Sequence, residues 1–176
     1  GYANGALFPE APQQVVDTTY SAPTGATITV NSGGDLQAAI NSAALGDTIV
    51  LEAGATFTGA FTLPAKTGTG WIYIRSSAYS ALPPPGFRAT LADTPNMPVI
   101  RGTGVTPTIQ ALNSSHHYRL VGLNIEPAVG VSVNAAVVRF GEDTTNAFGL
   151  VPHHLVVDRC VIRGDVTVGG VRGLRM

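Results

Sequence analysis

"HHYRLVGLNIE" runs from residue 116 to 126 and "HHLVVDRCVIR" from 153 to 163. The two phrases align without a gap at a separation of 37 residues and contain all four histidines of the chain. In the first copy Tyr118 and Leu120 share one face of an extended chain, Val121 and Gly122 break the alternation, and Leu123 and Ile125 resume it one residue out of phase. In the second copy Leu155 and Val157 are followed by Asp158 and Arg159, then by Cys160 and Ile162. Strand side chains alternate with a period of two, so such a slip marks a corner at which the chain bends and keeps its apolar side inward. A repeat of this length belongs to stacked architectures. Short strands meeting at corners wrap a narrow apolar interior, and each coil is too thin to bury its own inner face. It must stack on the next one, about 4.8 Å further along the axis.

Working outward, the chain reads as strand, turn, strand. Strand patterns fall at 26–30, 48–54, 61–64, 71–77, 98–102, 108–112, 136–142 and 170–176, besides the two echoes. "TIQAL", "YRLVG" and "LNIE" form one turn of three strands, "AVVRFGE", "HLVVD" and "CVIRG" the next, and "GVRGLRM" begins a third. Equivalent strands are expected to pair in parallel, with "TTNAFGLV" (144–151) bulging as a loop. One helix is expected after "ATITV": Ser32 or Asp35 caps it, Leu36, Ala39, Ile40 and Ala43 share a face, and Gly46 stops it. No helical pattern separates the later strands, which argues against a doubly wound α/β sheet.

Residues 1–26, with Pro9, Pro12 and Pro23, read as an extended arm or linker, and residues 27–176 as one domain. Charged residues are 12% of the 176, about half the usual share. The net charge is −1 and the basic residues are scattered, so no nucleic-acid footprint is present. No apolar run reaches the roughly 18 residues of a membrane span. Cys160 is the single cysteine, so no internal disulfide forms, and its apolar neighbours mark it as an inert buried thiol.

"GDLQAAINSAALGDTIVLEAGATFTG" (34–59), a short amphipathic helix leading into the first coil, and "HHLVVDRCVIRGD" (153–165), the repeating coil, resemble the pectin-lyase-like right-handed parallel β-helix proteins of secreted bacterial carbohydrate-active enzymes. The resemblance covers roughly residues 27–176. It implies an all-β, right-handed, single-stranded parallel β-helix with an amino-terminal capping helix. It also implies an extracellular setting and a polysaccharide partner, with lyase or hydrolase activity in a longer parent chain. The alternative is a non-catalytic structural or adhesive module, such as a surface or filament subunit. Family catalysis uses Asp residues holding calcium beside an Arg base, or paired Asp carboxylates. This chain has no matching set, so no catalytic residue is assigned.

The candidate substrate-binding residues are Glu142, Asp143, Asp158, Arg159, Arg163, Tyr79 and Arg88, with Asp165 close to the last coil's Arg163. Asp158 and Arg159 occupy the second corner, where an outward Arg can grip a uronate. Tyr79 and Arg88 belong to the long segment 77–98, whose aromatic rings suit sugar faces; packing of those rings on the helix flank is the alternative. No cofactor is required, and Ca2+ is the candidate cation at Glu142 and Asp143. His116 can approach His153, and His117 can approach His154, by stacking. Neighbours on a strand point to opposite sides, however, so no metal site is assigned to the histidines. "VRGLRM" ends without a cap, from which a continuing natural chain and self-association through the last coil are expected.

Overall fold

The computed structural model describes residues 19–132, 136–142, 147–168 and 172–176; residues 1–18 of the expected arm lie outside it. In chain order the elements are β1 (Thr27–Val30), α1 (Leu36–Ser42), β2 (Thr48–Leu51), β3 (Thr56–Thr58), β4 (Phe61–Leu63), β5 (Ile72–Ser76), β6 (Val99–Arg101), β7 (Ile109–Ala111), β8 (His116–Val121), β9 (Asn124–Glu126), β10 (Val138–Phe140), β11 (His153–Asp158), β12 (Val161–Ile162) and β13 (Leu174–Arg175). Short 3-10 turns occupy Tyr79–Ala81, Leu91–Asn96 and Phe148–Leu150.

The strands form three sheets, ordered β1-β2-β5-β8-β11, β3-β6-β9-β12 and β4-β7-β10-β13, and their pairings are parallel. From β2 onward the chain visits the three sheets in rotation, so each return places a strand one rung beyond its predecessor. The fold is mostly β, with parallel sheets and little helix. The 37-residue echo is the spacing of one rung: His153 pairs with His116, Val157 with Leu120 and Val161 with Asn124.

Alternation within each strand creates continuous apolar rows. Ile28, Ile49, Ile74, Leu120 and Val157 align in the first sheet, and Phe57, Ile100, Ile125 and Ile162 in the second. Phe61, Ile109 and Val138 align in the third. All belong to one hydrophobic cluster, so the inner faces of the three sheets share an interior. Burying each such side chain contributes about 1.5–3 kcal/mol, which three-residue strands could not gain from hydrogen bonding alone.

Helix α1 adds Leu36, Ala39 and Ile40 to this interior, and Asp35 caps it by accepting from the Ala38 N–H at 2.9 Å. It ends at Ser42 rather than running to Gly46. The reason is Asp47, whose carboxylate accepts from Ala44 N at 2.8 Å and from Ala26 N at 2.7 Å, drawing residues 43–47 into a turn with Gly46 at φ 103°. Strand β3 went unread in the sequence because three residues with only Phe57 buried carry no period.

Both expected corners occur, between β8 and β9 and between β11 and β12. The backbone turns through the left-handed region at Gly122 (φ 63°) and at Arg159 (φ 49°). Residues 77–98 fold over these corners rather than onto the helix flank. Leu82, Ala89 and Met97 form a small cluster with Val161, and Leu82 presses on Gly122 so closely that a Cβ there would lie 2.1 Å from its Cδ1. Among the described residues no helix is long and apolar enough to cross a membrane.

Candidate functional site

The outer face of the first sheet is built by the same alternation that fills the interior. With Ile72 and Ile74 inward, Tyr73 and Arg75 point out, next to Arg119 and Val121 on β8, which in turn neighbour Val156 and Asp158 on β11. The Arg75 guanidinium stands 4.1 Å above the Tyr79 ring. Its buried Nε has no hydrogen-bond partner, and among the described residues no carboxylate lies within ion-pair distance of it. Tyr20, from the segment preceding β1, lies 5.1 Å from the Tyr73 ring and 5.5 Å below the Arg119 guanidinium. The Tyr73 hydroxyl donates to the Ser21 carbonyl, and burial, then the nearby Tyr20, pushes its pKa up, so it stays a neutral donor.

Asp158 accepts from Arg119 at 3.2 Å and from Arg159 at 3.1 Å, while Arg159 also donates to the Pro83 carbonyl at 3.1 Å. The Arg159 side chain is only 9% exposed. The corner pair is therefore enclosed, and it pins the 77–98 segment to the sheet. Between that segment and the sheet face opens a cleft of about 320 Å³, lined by Tyr20, Tyr79, Ser80, Leu82, Pro84, Pro85 and Arg159.

On the other flank of the segment a second cleft of about 500 Å³ brings Arg88 and Arg163 together, with Cys160 in its wall. Arg163 is held by Glu126 at 2.6 Å, and Glu126 also takes Arg101 at 2.6 Å, giving an alternating charge ladder across three rungs of the second sheet. The Cys160 sulfur contacts Leu123 N and the carbonyls of Leu120 and Asp158, and burial pushes its thiol up to about 12, the state of an inert thiol. Asp165 accepts from the N–H groups of Gly130, Val168 and Thr167, which hold its pKa below the ordinary value.

Five of the seven candidate residues thus gather at one segment, Tyr79, Asp158 and Arg159 on one side of it and Arg88 and Arg163 on the other. Glu142 is apart from them, 3.4 Å from Arg139 in a cleft with Phe140, Pro152 and Arg175. Asp143 lies outside the described residues, and with it the second half of the expected calcium pair. Sequence reading missed Arg75, Arg119 and Tyr20. The alternation of "WIYIRSS" already turns Arg75 outward, but its partner Tyr79 is reached only through the fold.

The histidines require a correction. His117 (φ 57°) and His154 (φ 51°) adopt left-handed backbone, which swings each onto the side of its predecessor. His116 Nδ1 lies 2.7 Å from His117 Nδ1, and His153 Nδ1 lies 2.6 Å from His154 Nδ1. The two-residue alternation that would separate them holds only for extended φ.

No protein-family model matches the chain, and no curated protein matches it. Among solved structures, the crystal structure of alginate lyase from Paenibacillus sp. str. FPU-7 matches over 78% of this chain at 20% identity with a TM-score of 0.48. The chain spans 44% of the length of that structure.

Proposed function

We propose that the three sheets close into a right-handed, single-stranded parallel β-helix of the pectin-lyase-like kind, and that its cleft beside Tyr79 recognises an acidic polysaccharide outside the cell. The observation that carries the reading is Arg75, a half-buried guanidinium laid on an exposed tyrosine ring with no carboxylate among the described residues to neutralise it. A planar guanidinium takes a carboxylate through two parallel hydrogen bonds, and an aromatic face covers the apolar face of a sugar ring. A uronate residue offers both. Asp158 and Arg159 act here as the anchor that fixes the cleft wall, and Arg88 with Arg163 extends the basic surface past the corner.

The reading is one of recognition. Proton abstraction or glycosidic cleavage needs an acid and a base tuned toward neutrality. The shifted phenols and thiol of this chain move away from it. Lyase or hydrolase activity requires an acid and a base in addition to the cleft residues named here. The alternative of a structural or adhesive module shares the same fold and differs in binding no saccharide.

Affinity electrophoresis against polyuronates and neutral glucans tests this. The unsubstituted 176-residue chain is expected to be retarded by polyuronates, and Arg75→Ala or Tyr79→Ala to weaken retardation about tenfold, as loss of one desolvated guanidinium contact of about 1.4 kcal/mol requires. No retardation by any member of the panel, together with ordered polymers in micrographs, would replace this reading with the structural one.

A further inference from the structure

At the entry to β8 and β11 the four histidines and the single tryptophan of the chain gather in one patch. His116 stacks on His153 with ring centres 5.0 Å apart and planes within 2°, and His117 stacks on His154 at 4.5 Å within 5°. One ring nitrogen each of His117, His153 and His154 lies within 4.8 Å of the other two. Trp71 walls one side, its ring 5.1 Å from His117 and 6.3 Å from His154.

Among the described residues the ring nitrogens bond only to one another, within each pair. Two neutral imidazoles share such a contact only when one Nδ1 carries a proton and the other does not. Among the described residues no carboxylate or carbonyl fixes which is which. Each neutral ring can carry its proton on either nitrogen, so a dication that displaces the shared proton meets one lone pair from each ring. The left-handed backbone at His117 and His154 is unfavourable for a side chain larger than glycine, and it recurs at the same register on both rungs. Its effect in each case is to bring a second imidazole beside the first.

We propose that His117, His153 and His154, with His116 alongside, bind one transition-metal dication of the Cu2+, Ni2+ and Zn2+ group. An all-nitrogen donor set suits these ions, whereas Ca2+ and Mg2+ demand oxygen ligands. Ligand nitrogens at about 2.0–2.1 Å from a metal sit roughly 3 Å from one another. The spread of up to 4.8 Å therefore closes by tilting rings, and His153 and His154 are exposed and free to tilt. The ion would clamp β8 to β11 and keep a coordination position open to solvent. The site is separate from the Tyr79 cleft, and neither reading depends on the other.

The experiment uses the 176-residue chain without a histidine tag and Cu2+ as the probe. Trp71 is the only tryptophan, so its fluorescence reports the site directly. Titration is expected to quench it with one equivalent and micromolar or tighter affinity, and the electron paramagnetic resonance spectrum is expected to show at least three nitrogen ligands. His154→Ala and His153→Gln, both at exposed positions, are each expected to weaken binding at least tenfold with an unchanged circular dichroism spectrum. Quenching that needs millimolar Cu2+, or that is as tight in both variants as in the unsubstituted chain, overturns the proposal. Fewer than three nitrogen ligands in the parent chain's spectrum overturns it too, whatever the variants' folding.

Discussion

Strands His116–Val121 and His153–Asp158 lie one rung apart in register, yet the first buries its last four residues while the second leaves all of its residues at least partly exposed. The same phrase is read differently because of its neighbours. The first copy has β5 on one side and β11 on the other; among the described strands the second has only β8. At the corner, Gly122 meets Leu82 directly, whereas Arg159 takes nearly the same backbone turn and donates to the Pro83 carbonyl. A repeat thus fixes the path of the backbone, and the rung's position in the stack decides which side chains the path tolerates.

The largest expected break in this comparison is in the inner row. Leu120 is 1% exposed, so Leu120→Ala is expected to cost about 2–5 kcal/mol, transfer and cavity terms together. Val157, its partner one rung on, is only partly buried, and Val157→Ala is expected to cost on the order of 1 kcal/mol. Urea unfolding of the two variants measures the difference. Equal losses would mean that both rungs are equally enclosed, contrary to their burial here.

The corners come next. Gly122→Ala places a Cβ at φ 63° against Leu82, with an expected cost of about 2–3 kcal/mol from left-handed strain and overpacking combined. Adding Leu82→Ala should recover part of that loss, a coupling that only direct contact produces. Arg159→Gly relieves the same strain but forfeits the bonds to Asp158 and Pro83, so its net effect should stay within about 1 kcal/mol. If Gly122→Ala proved as mild as Arg159→Gly, the pressure of the 77–98 segment on the first corner would be absent.

The corners were legible in the sequence because a phase slip in a two-residue period has one cheap cause, and because the 37-residue spacing repeated it. The parallel pairing of "AVVRFGE" with "TIQAL", seen as Val138 opposite Ile109, followed from the same rhythm. What stayed hidden depends on side-chain contacts that a periodic pattern does not encode, whether local or distant. Asp47 ends the helix four residues early through bonds to Ala44 and Ala26, and Tyr79 finds Arg75 only when the loop folds back. Of the candidate site, Tyr79, Arg88 and the Asp158–Arg159 corner were legible as residue types, but their sorting onto two flanks of one segment was not. The histidine pairs were misread for a local reason: alternation assumes extended φ, and nothing in "HH" announces a left-handed residue.

Those pairs give the smallest expected effect and the finest comparison between rungs. Burial is the leading cause that lowers the pKa of His117 and of His153, followed by the neighbouring imidazoles: His154, His116 and His153 for the former, His154 and His116 for the latter. The groups around them are imidazoles and the uncharged Trp71 ring. A histidine whose folded pKa lies below its unfolded value of about 6.5 is neutral in both states at higher pH and contributes no pH dependence there. As pH falls below that value, the unfolded chain takes up protons first, so stability declines until the folded rings also titrate. The melting temperature of the metal-free chain is therefore expected to drop by a few degrees between pH 7 and pH 5.5. His117→Asn, which keeps a residue tolerant of the left-handed turn, should flatten that drop by removing the titration of the ring itself. His153→Gln should flatten it less, because His153 is the more exposed of the two. A melting temperature that held constant over this range in the unsubstituted chain would mean that neither His117 nor His153 is held below its ordinary pKa by burial and by its neighbours.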